Sequence, residues 1–182
     1  MSRGNQGGNH PDNHRGIKQS LRFDEPAQPW ETLASERPYV TQWLAIRRDQ
    51  VRTHTGAEIT YSYMERLDCV AIVAVTPDGN LLLLRQYRYP VRDWCWEIPM
   101  GGIEPDEEPE SAVIRELAEE AGGQTSPSCL RYITTFYTAC GAINQQCIVY
   151  LAQNVEMQAH EHEATELIHV VPLPVAEALR MA

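Results

Sequence analysis

The chain has 182 residues, a 43% hydrophobic fraction and a formal net charge of −10, which suits one folded domain with an ordinary core. The charge is uneven: residues 1–22 carry four basic side chains and one acidic one, leaving 11 basic against 24 acidic beyond them, a net −13. So acidic a body offers no stripe for nucleic-acid phosphates, and the longest apolar run, Cys69 to Val75, is far shorter than the roughly 20 residues of a membrane span.

Residues 1–28 are rich in Gly, Asn, Gln, Pro and His and are expected to form a flexible tail. No basic patch followed by an apolar run opens the chain, and no two of the five cysteines have C-x-x-C spacing. Free thiols and a cytoplasmic location follow as expectations. From Tyr39 onward, Thr, Val, Tyr and Ile alternate about a turn at Gly56, which predicts an antiparallel β arm over residues 29–66, ahead of a domain at 67–182. Val70 to Val75 and Leu81 to Leu84 flank the turn residues Thr76, Pro77, Asp78, Gly79 and Asn80, the pattern of a buried hairpin. Further strands are expected at Trp94 to Pro99, Leu130 to Tyr137, Cys147 to Ala152 and Leu167 to Val171, with a last short helix opened by Pro174.

The main helix is expected from Pro109, suited to a first helical position, to Ala121, where Gly122 and Gly123 supply a left-handed stop. At 100° per residue, Glu116, Glu119 and Glu120 share one face. Val113, Ile114, Leu117, Ala118 and Ala121 form an apolar stripe for the core, and Ala112 lies on the acidic face with little bulk to block a ligand. Arg115, four residues before Glu119, is placed to pair with it. Three acids in the final half of a helix oppose its dipole and call for a compensating cation, which carboxylate oxygens suit if it is hard and divalent.

This segment, GGIEPDEEPESAVIRELAEEAGG, resembles the Nudix hydrolase signature G-x5-E-x7-R-E-U-x-E-E-x-G-U, in which U is apolar. Gly101, Glu107, Arg115, Glu116, Leu117, Glu119, Glu120 and Gly122 stand at its spacing, and Gly123 departs from it, which should loosen packing after the helix. The resemblance implies an α/β fold, a Nudix-type α/β/α sandwich with a mixed sheet, here with an N-terminal antiparallel arm. It also implies Mg2+, with Mn2+ as a substitute, held by Glu116, Glu119, Glu120 and the carbonyl of Met100, while Arg115 supports the catalytic set.

Arg85-Gln86-Tyr87-Arg88 and Trp96 to Gly101 are similar to segments of the ADP-ribose pyrophosphatase and nucleotide-sugar branch. That likeness implies hydrolysis of ADP-ribose or a related nucleoside diphosphate sugar to a nucleoside monophosphate and a sugar phosphate, with Arg85 and Arg88 on the phosphates. It further implies an added carboxylate from the acidic loop before the last strand: Glu166 as metal ligand or general base, Glu163 as the other base candidate, and Glu119 if neither serves. Arm exchange in a homodimer is implied as well. Cys140-Gly141 stands where ADP-ribose enzymes commonly have Pro-Gly, which leaves room for another nucleotide pyrophosphate, and a non-hydrolysing nucleotide sensor is the reading from a different class.

Overall fold

The computed structural model describes residues 29–159 and 167–181. The expected tail, residue 160, the acidic loop with Glu163 and Glu166, and Ala182 lie outside the described residues.

The arm is a three-stranded antiparallel sheet of β1 (Glu31–Val40), β2 (Ala45–Arg52) and β3 (Glu58–Glu65), in that spatial order. It starts earlier than the alternation at Tyr39 indicates, because β1 is exposed along its whole length and so carries no buried face for a pattern to reveal. Charge links its strands instead: Arg52 reaches Glu31 at 2.6 Å and Glu58 at 2.9 Å, Arg48 reaches Glu36 at 2.6 Å, and Arg37 and Arg47 converge on Glu65 at 2.5 and 3.2 Å. Exposed pairs of this kind each contribute little. The arm is also tied to the following domain, through Tyr61 Oη donating to the Gly141 carbonyl at 2.8 Å and Met64 N–H donating to the Ala142 carbonyl at 2.8 Å.

Beyond the arm come β4 (Cys69–Ala74), β5 (Asn80–Arg88), β6 (Asp93–Glu97), β7 (Met100–Gly102), helix α1 (Pro109–Ala121), β8 (Gly123–Gln124), β9 (Leu130–Tyr137), β10 (Gln146–Ala152), β11 (Glu156–Met157), β12 (Ile168–Pro174) and helix α2 (Val175–Met181). One sheet has the order β7-β4-β10-β9 and is mixed, since β4 and β10 run parallel; a second, antiparallel sheet has the order β12-β5-β6. Helix α1 packs on β4 and β7, and α2 packs on β12 and β5. No helix among the described residues is long and apolar enough to cross a membrane.

The expected buried hairpin does not form. The turn is present, with Gly79 at φ +82° and Thr76 Oγ1 accepting from Asn80 N–H at 3.1 Å, but β4 and β5 share only the isolated bridge Val75–Leu81 before diverging into separate sheets. Runs buried on both faces carry no alternation to say which neighbour they pair with. Pro174 likewise ends β12 and the helix opens at Val175.

The period of two along β4 sorts its side chains between two apolar clusters. Val70, Ile72 and Ala74 join Leu82, Leu84, Ile148, Tyr150 and the inner face of α1, while Cys69 and Ala71 join Cys147 in a smaller cluster. The inner face of α1 is Ala112, Val113, Glu116, Leu117 and Ala121, whereas Ala118 is exposed. This is a correction: the buried arc is turned by roughly 80° from the apolar stripe read at 100° per residue, so Ala112 is core and opens no path for a ligand.

Gly123 requires a second correction. It is buried, and a Cβ there would lie 2.8 Å from Val155 Cγ1 and 2.9 Å from Leu117 Cγ. Packing after the helix is therefore tight, because Val155 and Leu117 fill the space that an apolar residue would occupy. Gly123→Val, which restores the usual apolar residue, is expected to destabilise the protein by about 1–3 kcal/mol through overpacking; a denaturation midpoint equal to wild type would show that Val155 and Leu117 can retreat.

Candidate active site

The sequence places a carboxylate helix directly after a glycine-containing strand, and the fold sets the two side by side. Helix α1 opens with Pro at its start and closes at Gly122, whose φ of +60° is left-handed and whose N–H returns to the carbonyls of Ala118 and Leu117. Its middle lies against β7, so closely that a Cβ on Gly101 would sit 1.9 to 2.1 Å from the carboxylate atoms of Glu116. Only the absence of a side chain at 101 allows that carboxylate to occupy its position. One turn on, Glu120 accepts the N–H of Met100 at 2.7 Å.

Arg115 holds strand, loop and helix together. Its guanidinium donates to both oxygens of Glu107 at 3.0 and 2.8 Å, to the Gly102 carbonyl at 2.8 Å, to Glu116 at 2.7 Å and to Glu119 at 3.2 Å. The pairing with Glu119 expected from spacing is thus present but is one contact among several, and the bidentate partner is Glu107. That residue is part of the signature, but it precedes the helix, so helical spacing assigns it no partner. Glu107 in turn accepts Glu104 N–H at 2.9 Å and so shapes the loop between β7 and α1.

Electrostatics divides the acids. The Arg115 hydrogen bonds hold the Glu107 carboxyl below the usual carboxylate range. Glu116, 9% exposed, is pushed up by burial, against the opposing pull of Arg115. Glu119 is exposed at the rim.

A cleft of about 740 Å³ runs past these groups, lined by Gly101, Glu116, Glu120, Arg115 and Met100 on one side and by Trp43, Arg66 and Arg88 on others. Trp43 comes from the turn between β1 and β2, held by Thr41 Oγ1, which accepts the N–H groups of Trp43 and Leu44 at 3.1 Å each. Arg88 lines the cleft with its guanidinium against both oxygens of Glu97, at 2.8 and 2.5 Å. Arg85 lies elsewhere: its guanidinium donates to the Trp94 carbonyl and covers the Trp96 ring at 5.2 Å. Of the predicted set, Met100, Arg88, Arg115, Glu116 and Glu120 meet in the cleft, Glu119 joins through Arg115, and Arg85 does not line it.

The chemistry of the donors fits a hard divalent cation: carboxylate oxygens of Glu116 and Glu120, one of them buried with insufficient positive charge, flank the backbone of β7. Their present conformers serve other partners, with Glu116 and Glu119 turned to Arg115 and Glu120 to the Met100 amide, and among the described residues no three His, Cys, Asp or Glu side chains converge on one point.

Comparison with known proteins agrees with this geometry. A family described as NUDIX domain matches residues 65–182, and one described as Nucleoside diphosphate sugar hydrolase N-terminal domain matches residues 30–64. An ADP-ribose pyrophosphatase of Mycobacterium tuberculosis is 35% identical, over 83% of this chain and 73% of that protein. One from Bacillus subtilis is 29% identical, over 83% of this chain and 82% of its own length. A solved structure described as an ADP compounds hydrolase shares the fold, with a TM-score of 0.73 at 22% identity, covering 86% of this chain and 84% of the other.

The upward shift at Glu116 has a direct consequence for stability. An acid whose pKa is raised by folding binds its proton more tightly in the native state, so stability declines as pH rises from the ordinary Glu range through the shifted value. At neutral pH the ionised side chain then opposes folding. Glu116→Gln in excess chelator is expected to melt at or above the wild-type temperature at pH 7, with the difference shrinking toward pH 4; a clear loss of stability at pH 7 would mean that the Arg115 contact outweighs the cost of burial.

Proposed function

The chain belongs to the Nudix hydrolase family, and from that premise we propose that it is a Mg2+-dependent enzyme that cleaves ADP-ribose or a related nucleoside diphosphate sugar into a nucleoside monophosphate and a sugar phosphate. The observation that carries this reading is the buried Glu116 carboxylate seated on Gly101 beside Glu120, within a cleft that also holds Arg88 and Trp43. The similarity to two ADP-ribose pyrophosphatases supports the substrate class.

Nudix enzymes generally need a divalent metal; bound here, it would neutralise phosphate charge and lower the pKa of the attacking water. Glu116 and Glu120 are the ligands in this reading, with Glu119 assisting and the Met100 carbonyl completing the set. Arg115 is a positioning residue, which keeps Glu116 in place through Glu107 and Gly102. Arg88 reaches a substrate phosphate from the cleft wall, where a guanidinium presents several donors in a fixed plane; Arg85 is its more distant partner. Glu166 supplies the general base or a further metal ligand, with Glu163 as the other candidate.

A homodimer is part of the same reading, supported by the exposed strand β1 and by the exposed Tyr39, Val40 and Trp43 around the first arm turn, since a bare strand edge favours pairing. A cytoplasmic location accords with the five free cysteines.

Chromatographic resolution of the products of ADP-ribose with Mg2+ tests the activity. Glu120→Gln is expected to lower turnover by at least ~10²-fold, the scale of removing one preorganised electrostatic element, and full activity in excess chelator would defeat the assignment. Glu166→Gln is expected to cut kcat far more than it raises KM; wild-type kcat in both the Glu166 and Glu163 variants would move the base to Glu119. For the dimer, light scattering is expected to give about twice the chain mass of 20.6 kDa, and a monomer alone at working concentration would count against it.

A further inference from the structure

Among the described residues, the guanidinium groups of Arg66, Arg88 and Arg115 line the cleft. Two of these are already held by the chain's own acids. Arg88 faces both oxygens of Glu97, and Arg115 is divided among Glu107, Glu116 and Glu119. Arg66 differs: it is exposed, and its side chain makes no hydrogen bond or ion pair among the described residues. An anion that enters this acidic body therefore meets, at Arg66, a positive charge that no carboxylate of the chain has to release.

The place of Arg66 follows from strand register. Strand β3 ends at Glu65, paired with Ala45, so Arg66 emerges beside the turn that carries Gln42 and Trp43. Just beyond it, Cys69 stands opposite Gly102, and Ile103 N–H donates to the Asp68 carbonyl at 2.9 Å. Arg66 thus belongs to the Gly102 end of β7, whereas Arg88, through Glu97, belongs to the Met100 end. Between them lie Glu120 on the Met100 amide and Glu116 on Gly101. The backbone at Arg66 is braced, since its N–H donates to Asn144 Oδ1 at 3.2 Å and Asn144 N–H donates to the Met64 carbonyl at 3.2 Å. A braced root lowers the ordering cost when the tip takes a ligand.

We propose that Arg66 binds a phosphate group of the substrate at the Gly102 end of the cleft, on the far side of Glu116 and Glu120 from Arg88. The inference rests on the reading of the cleft as a nucleoside diphosphate site. Phosphate suits the group, because a guanidinium presents parallel donors to two oxygens of one phosphate. With Arg66 at one end and Arg88 at the other, positive charge flanks the carboxylates on both sides, which favours a ligand with two linked phosphates over one with a single phosphate. Arg66 has no bond to Glu116 or Glu120, so it holds ground state and transition state alike and contributes to KM rather than to kcat.

Calorimetric titration of the full-length chain in Mg2+ with the methylene analogue of ADP, in which carbon replaces the bridging oxygen and blocks cleavage, reads this binding without hydrolysis. Arg66→Ala is expected to bind the analogue at least ~10-fold more weakly, the scale of losing a charged hydrogen-bonding group, and Arg66→Lys to recover part of the loss. Arg131→Ala, which removes an exposed arginine from β9, is expected to match wild type. Added salt, which screens charge, should weaken wild type more than Arg66→Ala. With ADP-ribose, Arg66→Ala should raise KM and leave kcat near wild type. Absence of binding to wild type, undiminished affinity in a folded Arg66→Ala, an equal loss in Arg131→Ala, or a lysine variant as weak as the alanine one would each overturn the inference. Undiminished affinity beside intact ADP-ribose hydrolysis removes the role of Arg66 alone. Binding that depends on Arg66 without ADP-ribose hydrolysis removes the proposed substrate and leaves the phosphate site.

Discussion

Seating the Glu116 carboxylate on the bare Cα of Gly101 is the contact on which the rest of the site depends. It fixes how near α1 lies to β7, and through that distance it places Glu120 on the Met100 amide and Arg115 on the Gly102 carbonyl. An ionised side chain is costly to hold in such a place, and burial does push Glu116 up. Arg115 offsets part of that cost, but it is shared among Glu107, Glu116 and Glu119, so three acids divide one cation. A pair made at the expense of desolvation is weak evidence for stability. Its persistence here is better explained by function, because a partly uncompensated anion at the wall of an open cleft attracts a second cation.

How much of this was legible beforehand depended on whether a feature is local in sequence. The bounds of α1 were, since Pro109 and Gly122 mark its ends by backbone chemistry alone. The strand at Leu130 to Tyr137 was found to the residue. The sharing of one helix side by Glu116 and Glu120 was legible too, but the direction of that side was not. Apolar periodicity assigns polar residues to water, so it sets the core face of α1 away from Glu116, which the helix in fact buries. The helix buries a carboxylate because β7 offers it a glycine and an arginine waits at its flank, and both facts belong to tertiary structure. Functional positions are where such local rules are expected to fail.

Tertiary neighbours also account for the hairpin that does not form and for Gly123. Val70 to Val75 and Leu81 to Leu84 are apolar on both faces, so nothing in either run names its neighbour; β4 finds β7 and β10, and β5 finds β6 and β12. At Gly123 the missing side chain is replaced in space by Val155, a residue 32 positions later. A departure from a sequence signature is thus neither a gap nor a weakness until its three-dimensional neighbours are known. Glu107 makes the converse case, since its partner Arg115 lies within the same signature but on α1, while Glu107 sits in the preceding loop, whose shape the Glu104 N–H bond defines.

The arm shows what happens where little apolar burial guides the chain. Strand β1 is exposed throughout, and its pairing with β2 is marked by charges: Glu31 with Arg52 and Glu36 with Arg48. Such pairs discriminate between registers better than they stabilise, because a slipped register sets like charges opposite one another, while a correct one gains only tenths of a kcal/mol for each pair, roughly. The turn that this register positions carries Trp43 to the cleft. Placement of that aromatic therefore rests on electrostatic specificity rather than on a packed core, and raised ionic strength, which screens exposed pairs, acts on the mouth of the cleft before it acts on the seat of Glu116.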